Sequence, residues 1–147
     1  MAFFKFILAF SILTIPISSM ASSRITHPGP GSPERKVLLD ALRPHVEKEW
    51  RRKIIFRVDE INVSSTLAFI QATPVDSLGR EYKCEAVFNA DECDFVDGMS
   101  VIATFRKKSG KWIVSQQGTG GTDVWWCGGG LTGYPKIPRE LSSACGF

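Results

Sequence analysis

Residues 101–119 read VIATFRKKSGKWIVSQQGT, and this stretch decides the fold. Val101, Ala103 and Phe105 alternate with Ile102, Thr104 and Arg106, the period-two pattern of a strand whose successive side chains point to opposite faces. Lys108-Ser109-Gly110-Lys111 supplies a tight turn, and Trp112, Val114 and Gln116 lead the chain back as a second strand. Upstream, Phe56 and Val58 share one parity while Ile61 and Val63 take the other, which predicts a bulge near Asp59-Glu60. Ser64-Ser65-Thr66 then turns the chain into Leu67–Thr73, a strand stopped by Pro74, so a first hairpin precedes the second.

Ahead of both hairpins lies a helix signal. Ser32 is placed to cap, Pro33 occupies the first helical position, and Glu34 meets the positive end of the dipole. Leu39, Leu42, Val46 and Trp50 fall on one face, which predicts an amphipathic helix over 33–51. Pro44 removes the hydrogen bond to the Asp40 carbonyl, so a kink or break is expected near Arg43. A helix followed by two antiparallel hairpins, each apolar on one face, is an α+β arrangement: the helix lies on a curved antiparallel sheet of four or five strands.

Composition fits one small domain. The 147 residues are 44% hydrophobic, 22% charged and 11% aromatic, which excludes disordered, collagen-like and multi-domain readings. Eighteen basic and 15 acidic residues leave a net charge of +3, too small to call for nucleic acid or an anionic membrane. Residues 1–21 read as a signal peptide: Lys5, the apolar run Phe6–Ile17, then the small-residue site Ser19-Met20-Ala21. That run of 12 residues is shorter than the roughly 20 of a membrane-spanning helix, so no membrane anchor is expected after cleavage. Residues 22–31 form a Pro- and Gly-rich flexible leader containing His27, and residues 32–147 make the single α+β domain. The expected location is secreted, or periplasmic in a Gram-negative source.

Cys84, Cys93, Cys127 and Cys145 are an even set in an exported chain, the usual mark of disulfides. Of the three possible pairings, Cys84–Cys93 with Cys127–Cys145 closes the shortest loops, each contributing about 2.5–3 kcal/mol. A zinc site is disfavoured, because no C-x2-C pair is present and neither His27 nor His45 stands at ligand spacing from a cysteine.

The segments PERKVLLDALRPHVEKEW (33–50), LAFIQATP (67–74) and VIATFRKKSGKWIVSQQGTGGTD (101–123) together resemble the cystatin-like and nuclear-transport-factor-like α+β folds, in particular small secreted bacterial proteins joining such a helix to a terminal hairpin. The resemblance implies a fold and a concave ligand surface, not an activity. The Q-x-V-x-G loop of cystatin inhibitors is missing: the first-hairpin turn reads Val63-Ser64-Ser65-Thr66-Leu67, so cysteine-protease inhibition does not carry over.

Catalytic sets are thin. Nucleophilic catalysis needs a base beside a hydroxyl or thiol, and the histidines are His27 in the leader and His45 on the helix. Asp91, Glu92, Asp94 and Asp97 lack the spacing of a calcium loop and the opposed geometry of glycosidase carboxylates, and read as a solvated acidic loop. Gly118, Gly120 and Gly121 lack the lysine of a phosphate loop and read as a chain reversal. Arg51-Arg52-Lys53 and Arg106-Lys107-Lys108 read as solvated ends and turn edges. No cofactor or metal is called for. Trp125-Trp126 stands out, because adjacent rings in an extended chain point oppositely: both pack in the core, the commoner outcome for large aromatics, or one seals the core and the other anchors a ligand.

These observations lead to a non-catalytic exported binding module for a protein partner, as an inhibitor or immunity protein, or for a cell-wall ligand, acting through the sheet and Trp125 and Trp126. The second reading is a small-ligand or enzymatic domain with a pocket between helix and sheet, using Asp123, Tyr82 or the acidic loop. Asn62-Val63-Ser64 matches the acceptor pattern for N-glycosylation in a eukaryotic secretory route. Intact mass spectrometry of the exported protein is expected to give a chain starting at Ser22; a mature chain retaining residues 1–21 would remove the leader assignment.

Overall fold

A computed structural model describes residues 24–121, 124–127 and 137–146. Helix α1 (Pro33–Trp50) is followed by strands β1 (Ile55–Val63), β2 (Leu67–Val75), β3 (Val101–Lys108) and β4 (Lys111–Thr119). A short helix, α2 (Ala90–Cys93), lies between the hairpins, and single helical turns occupy Cys84–Ala86, Arg139–Leu141 and Ser143–Cys145. The sheet is antiparallel throughout in the order β1-β2-β3-β4, so the α+β class holds with four strands, and the signal segment 1–21 lies outside the described residues.

Local chemistry starts the helix as expected: the Ser32 hydroxyl accepts from the Arg35 amide at 3.3 Å, with Pro33 in the first turn. Two details differ from the sequence expectation. The helix runs through Pro44 without a break, because Asp40 and Pro44 both lie on the exposed side, where solvent is available to the carbonyl that loses its helical partner. Its buried face is Leu38, Leu42, Val46 and Trp50, a strict spacing of four, and Leu39 is only half-buried. Arg51 ends the helix in the left-handed conformation, at φ +52°.

The bulge near Asp59-Glu60 is present, as a register shift between Val58 and Glu60. A second bulge sits on β4: Phe105 faces Val114 while Thr104 faces Gln116, leaving Ser115 as the extra residue. Ser109 and Gly110 hold φ of +50° and +76°, the doubly left-handed turn whose twist suits a two-residue hairpin.

The core has two parts. One cluster joins the buried helix face to Ala68, Ile70 and Ala72 of β2 and Val101, Ala103 and Phe105 of β3. The other contains Phe69 and Ile102, which have the opposite parity on the same strands, with Trp126, Ile137, Leu141 and Cys145. The sheet is therefore apolar on both faces, not one, and the C-terminal segment covers the second. Cys84–Cys93 and Cys127–Cys145 are the bridges, the pairing that short loops favoured. Two disulfides belong to an oxidising, extracellular type of environment, and among the described residues no helix is long and apolar enough to cross a membrane.

The leader is tied along β1, where Thr26 and Val63 exchange backbone hydrogen bonds of 2.8 and 2.9 Å, the His27 ring nitrogen Nδ1 hydrogen-bonds Asn62 Oδ1 at 2.5 Å, and Ile25 packs on the second cluster. Beside it, the Asn62 side-chain amide donates to Glu60 at 2.6 Å and to the Leu141 carbonyl at 2.9 Å, and Asn62 is only 6% exposed. The folded chain has no room for a glycan on that nitrogen.

Replacing Cys127 and Cys145 together by serine is expected to lower unfolding free energy by about 3 kcal/mol, the closure entropy of their loop. Trp126→Ala should cost about 3–5 kcal/mol by opening the second cluster. Urea unfolding followed by tryptophan fluorescence checks both, and losses under about 1 kcal/mol would mean that the C-terminal cover contributes little.

Candidate functional site

Among the described residues, one concavity runs along β4. Its volume is about 570 Å³, and its walls are His45 from α1, the consecutive residues Val114–Gly118 from β4, and Trp125. Successive strand side chains point to opposite faces, so a cavity touching five in a row lies on the outer edge of the strand. β4 is the terminal strand of the sheet, and among the described residues β3 is its one pairing partner.

The register settles which wall each residue serves. Gln117 is opposite Ala103 and Thr119 opposite Val101, on the side of the helix cluster. There Gln117 Nε2 donates to Glu49 Oε2 at 2.8 Å, Thr119 Oγ1 donates to Glu49 Oε1 at 3.1 Å, and Trp50 Nε1 donates to Thr119 Oγ1 at 3.0 Å. Gly118 is opposite Ile102, on the side of the second cluster, and the Trp125 ring lies over it. A Cβ built on Gly118 would stand 3.5 Å from that ring, an ordinary contact distance, so the indole packs directly against the strand.

The paired tryptophans do not point oppositely, as an extended chain would have them: residues 125–127 form a turn, and both rings pack on the second cluster. Trp126 is 3% exposed, donates to Ser142 Oγ at 3.0 Å, and packs 5.9 Å from Phe69. Trp125 meets it edge-on at 5.4 Å and lines the cleft half-buried. Just before them stands Val124 at φ +36°, a conformation that β-branched residues avoid.

Two polar atoms of the cleft lack partners. Ser115 Oγ and Gln117 Oε1 are buried and, among the described residues, make no hydrogen bond. Leaving such an atom unpaired costs about 1–3 kcal/mol, so orphans in a cleft wall mark where a ligand atom gains most.

The other expected site residues are elsewhere. The Tyr82 hydroxyl donates to the Lys53 carbonyl at 3.0 Å and its ring packs 5.9 Å from Trp50, in the cluster that does not contain Trp125. Asp123 lies outside the described residues. In the acidic loop, Glu92 and Asn89 form a reciprocal cap on α2, and among the described residues no group of three or more candidate ligands is placed to hold a metal. Arg52 bonds the Ala86 carbonyl at 2.8 Å, and Lys107 sits 5.0 Å over Trp112, so both basic runs have structural partners. Sequence reasoning missed Ser115 and Gln117; the only signal was the polar run Ser115-Gln116-Gln117 in a strand that begins as an apolar alternation.

Compared with known proteins, the chain matches no family model, no curated protein and no solved structure.

Glu49 gives the site a pH signature. Partial desolvation of its carboxyl pushes the pKa above the usual carboxylate value, against the lowering effect of the Thr119 hydrogen bond. The folded chain therefore keeps a proton that the unfolded chain releases, and stability falls as pH rises from the ordinary glutamate range through the raised value. Glu49→Gln is expected to raise Tm at pH 7 and to lose that advantage below about pH 4, where both forms are neutral. An equal Tm shift at both pH values would show that the carboxyl is not desolvated.

Proposed function

We propose that this chain is a non-catalytic binding module, exported by cleavage of residues 1–21, that recognises a secreted or envelope protein through the β4 cleft. The observation that carries this reading is the pair of unpartnered oxygens, Ser115 Oγ and Gln117 Oε1, in a cleft walled by a half-exposed Trp125. Tryptophan gives binding sites a large rigid contact, and hydrogen-bonding groups beside it set orientation. The disulfides support an extracellular or periplasmic setting for such a module. Within it, α1 lies across a curved sheet, in the manner of the cystatin-like and nuclear-transport-factor-like folds; one helix preceding two antiparallel hairpins supports that reading.

The small-ligand alternative keeps one favourable observation, a cleft volume within the usual range of small-molecule sites. Tyr82 and the acidic loop do not line that cleft, so this reading rests on His45, Ser115 and Gln117.

The test is retention of proteins from culture and envelope fractions of the source on the immobilised mature chain, compared with Trp125→Ala and Phe95→Ala. Phe95 is 89% exposed and does not line the cleft, so it controls for non-specific apolar binding. A partner kept by wild type and Phe95→Ala but weakened about tenfold or more by Trp125→Ala is the expected result. Equal retention by all three, with the fold intact by circular dichroism, would remove the cleft from recognition.

A further inference from the structure

We infer that the β4 cleft takes an extended peptide segment as a fifth strand, with an apolar side chain against Trp125 and a hydrogen-bond donor over Gln117. This inference rests on the proposed use of the cleft and adds the mode and the chemistry of the partner.

Three observations point to strand addition. First, the floor of the cleft is backbone edge: five consecutive β4 residues line it, and a terminal strand presents alternate N–H and C=O groups to its open side. Second, the walls stand on opposite sides of that edge, Trp125 over Gly118 on one and His45 with Gln117 on the other. An added strand alternates its side chains in the same way, so each wall receives every second residue. Third, the orphaned atoms specify polarity. Gln117 Nε2 is engaged by Glu49, which leaves the buried Oε1 as an unpaired acceptor, so a peptide side chain that meets it as the amide turns outward must donate.

The two sheet edges differ. Beside β1, Thr26 bridges Val63, Asn62 bonds the Leu141 carbonyl, and Glu60 holds both the Ser143 amide at 2.8 Å and its hydroxyl at 2.7 Å. β4 has no such cover among the described residues, and its bulge at Ser115 confines regular pairing to the stretch that ends at Thr119.

That short stretch disfavours a second copy as the occupant. A copy presenting its own β4 would bring its own α1 and Trp125 alongside, against the walls already there, and so short a pairing falls well below the roughly 1,000 Å² of a stable interface. A single strand brings no such walls.

The probe is a phage-displayed library of random linear peptides, panned on the full mature protein with its disulfides intact. Enriched sequences are expected to alternate an apolar residue with Lys, Arg, Asn or Gln. N-methylation of a selected peptide at alternate amides should weaken binding about tenfold per amide, the loss of one backbone hydrogen bond, while intervening positions tolerate it. Trp125→Ala should also weaken the peptide about tenfold. Hydrogen exchange adds a second readout: the β4 amides pointing away from β3 should exchange freely in the isolated monomer and become protected by peptide.

Strand addition falls, and the cleft reading stands, if Trp125→Ala abolishes peptide binding but N-methylation is tolerated everywhere. Failure to enrich any peptide, or protection of the outward amides before peptide is added, also overturns it. A concentration-dependent dimer dissociated by Gln117→Lys would assign the edge to a second copy and overturn the peptide. Peptide binding indifferent to Trp125→Ala overturns both readings together.

Discussion

The two central strands are buried on both faces, and the rest of the molecule answers to that requirement. Ala68, Ile70 and Ala72 face one cluster and Phe69 the other; Val101, Ala103 and Phe105 face the first and Ile102 the second. Each large side chain buried there contributes roughly 1.5–3 kcal/mol only if water is kept from it. A sheet with one solvated face needs one cover, and this sheet needs two. The α1 side chains supply apolar partners for the first set. For the second the described residues supply Ile25 of the leader and an irregular C-terminal segment, whose described residues have little secondary structure to hold them in place.

That weakness explains the position of the chemistry in the C-terminal segment. An irregular cover loses conformational entropy on ordering, about 1–2 kcal/mol per residue for the backbone alone. Cys127–Cys145 removes part of that loss by closing the loop in the unfolded chain, and Trp126 anchors the same point by its bond to the buried Ser142. Once fixed, the segment reaches the β1 edge, where Leu141 and Ser143 bond Asn62 and Glu60. Covering the second face thus also closes one edge of the sheet. The asymmetry between β1 and β4 follows from which side the cover arrives on.

Much of this was legible wherever a local rule decides the outcome. The Ser32 cap, the Ser109-Gly110 turn, the bulge after Val58 and the short-loop disulfides each depend on neighbours in sequence. What depended on distant partners was not legible. Leu38 and Leu39 are both apolar, and only the strands opposite select Leu38. Pro44 reads as a breaker, yet the bond it removes lies on the solvent side. Ile137, Leu141 and Cys145 have no period to mark them as a cover. Tyr82 looked available for a ligand, but its hydroxyl serves the carbonyl of Lys53, 29 positions earlier in the chain. Adjacency did not place Trp125 and Trp126 on opposite faces, because residues 125–127 turn; Ser142 and Phe69 fix Trp126 in the core and Trp125 packs half-buried beside it.

Strain at the tryptophan turn bears on why the cleft is a binding surface and not a packing accident. Val124 at φ +36° sits in a region that costs of order 1–3 kcal/mol for a residue of its kind. An exposed turn with nothing to hold it would relax. Here the residues on its C-terminal side are fixed, Trp126 in the core and Cys127 in a disulfide, so the strain is carried by contacts whose own role is to cover the sheet. The consequence falls on Trp125, whose ring is held between Trp126 and Gly118 instead of sweeping through solvent. A pre-ordered indole loses little freedom when a ligand arrives, and the unpaired, buried oxygens of Ser115 and Gln117 gain partners once a small side-chain shift brings them to the cleft surface. Stability at that end of the molecule is lowered by the very features that make association favourable there, as expected where backbone strain and unsatisfied polar groups coincide.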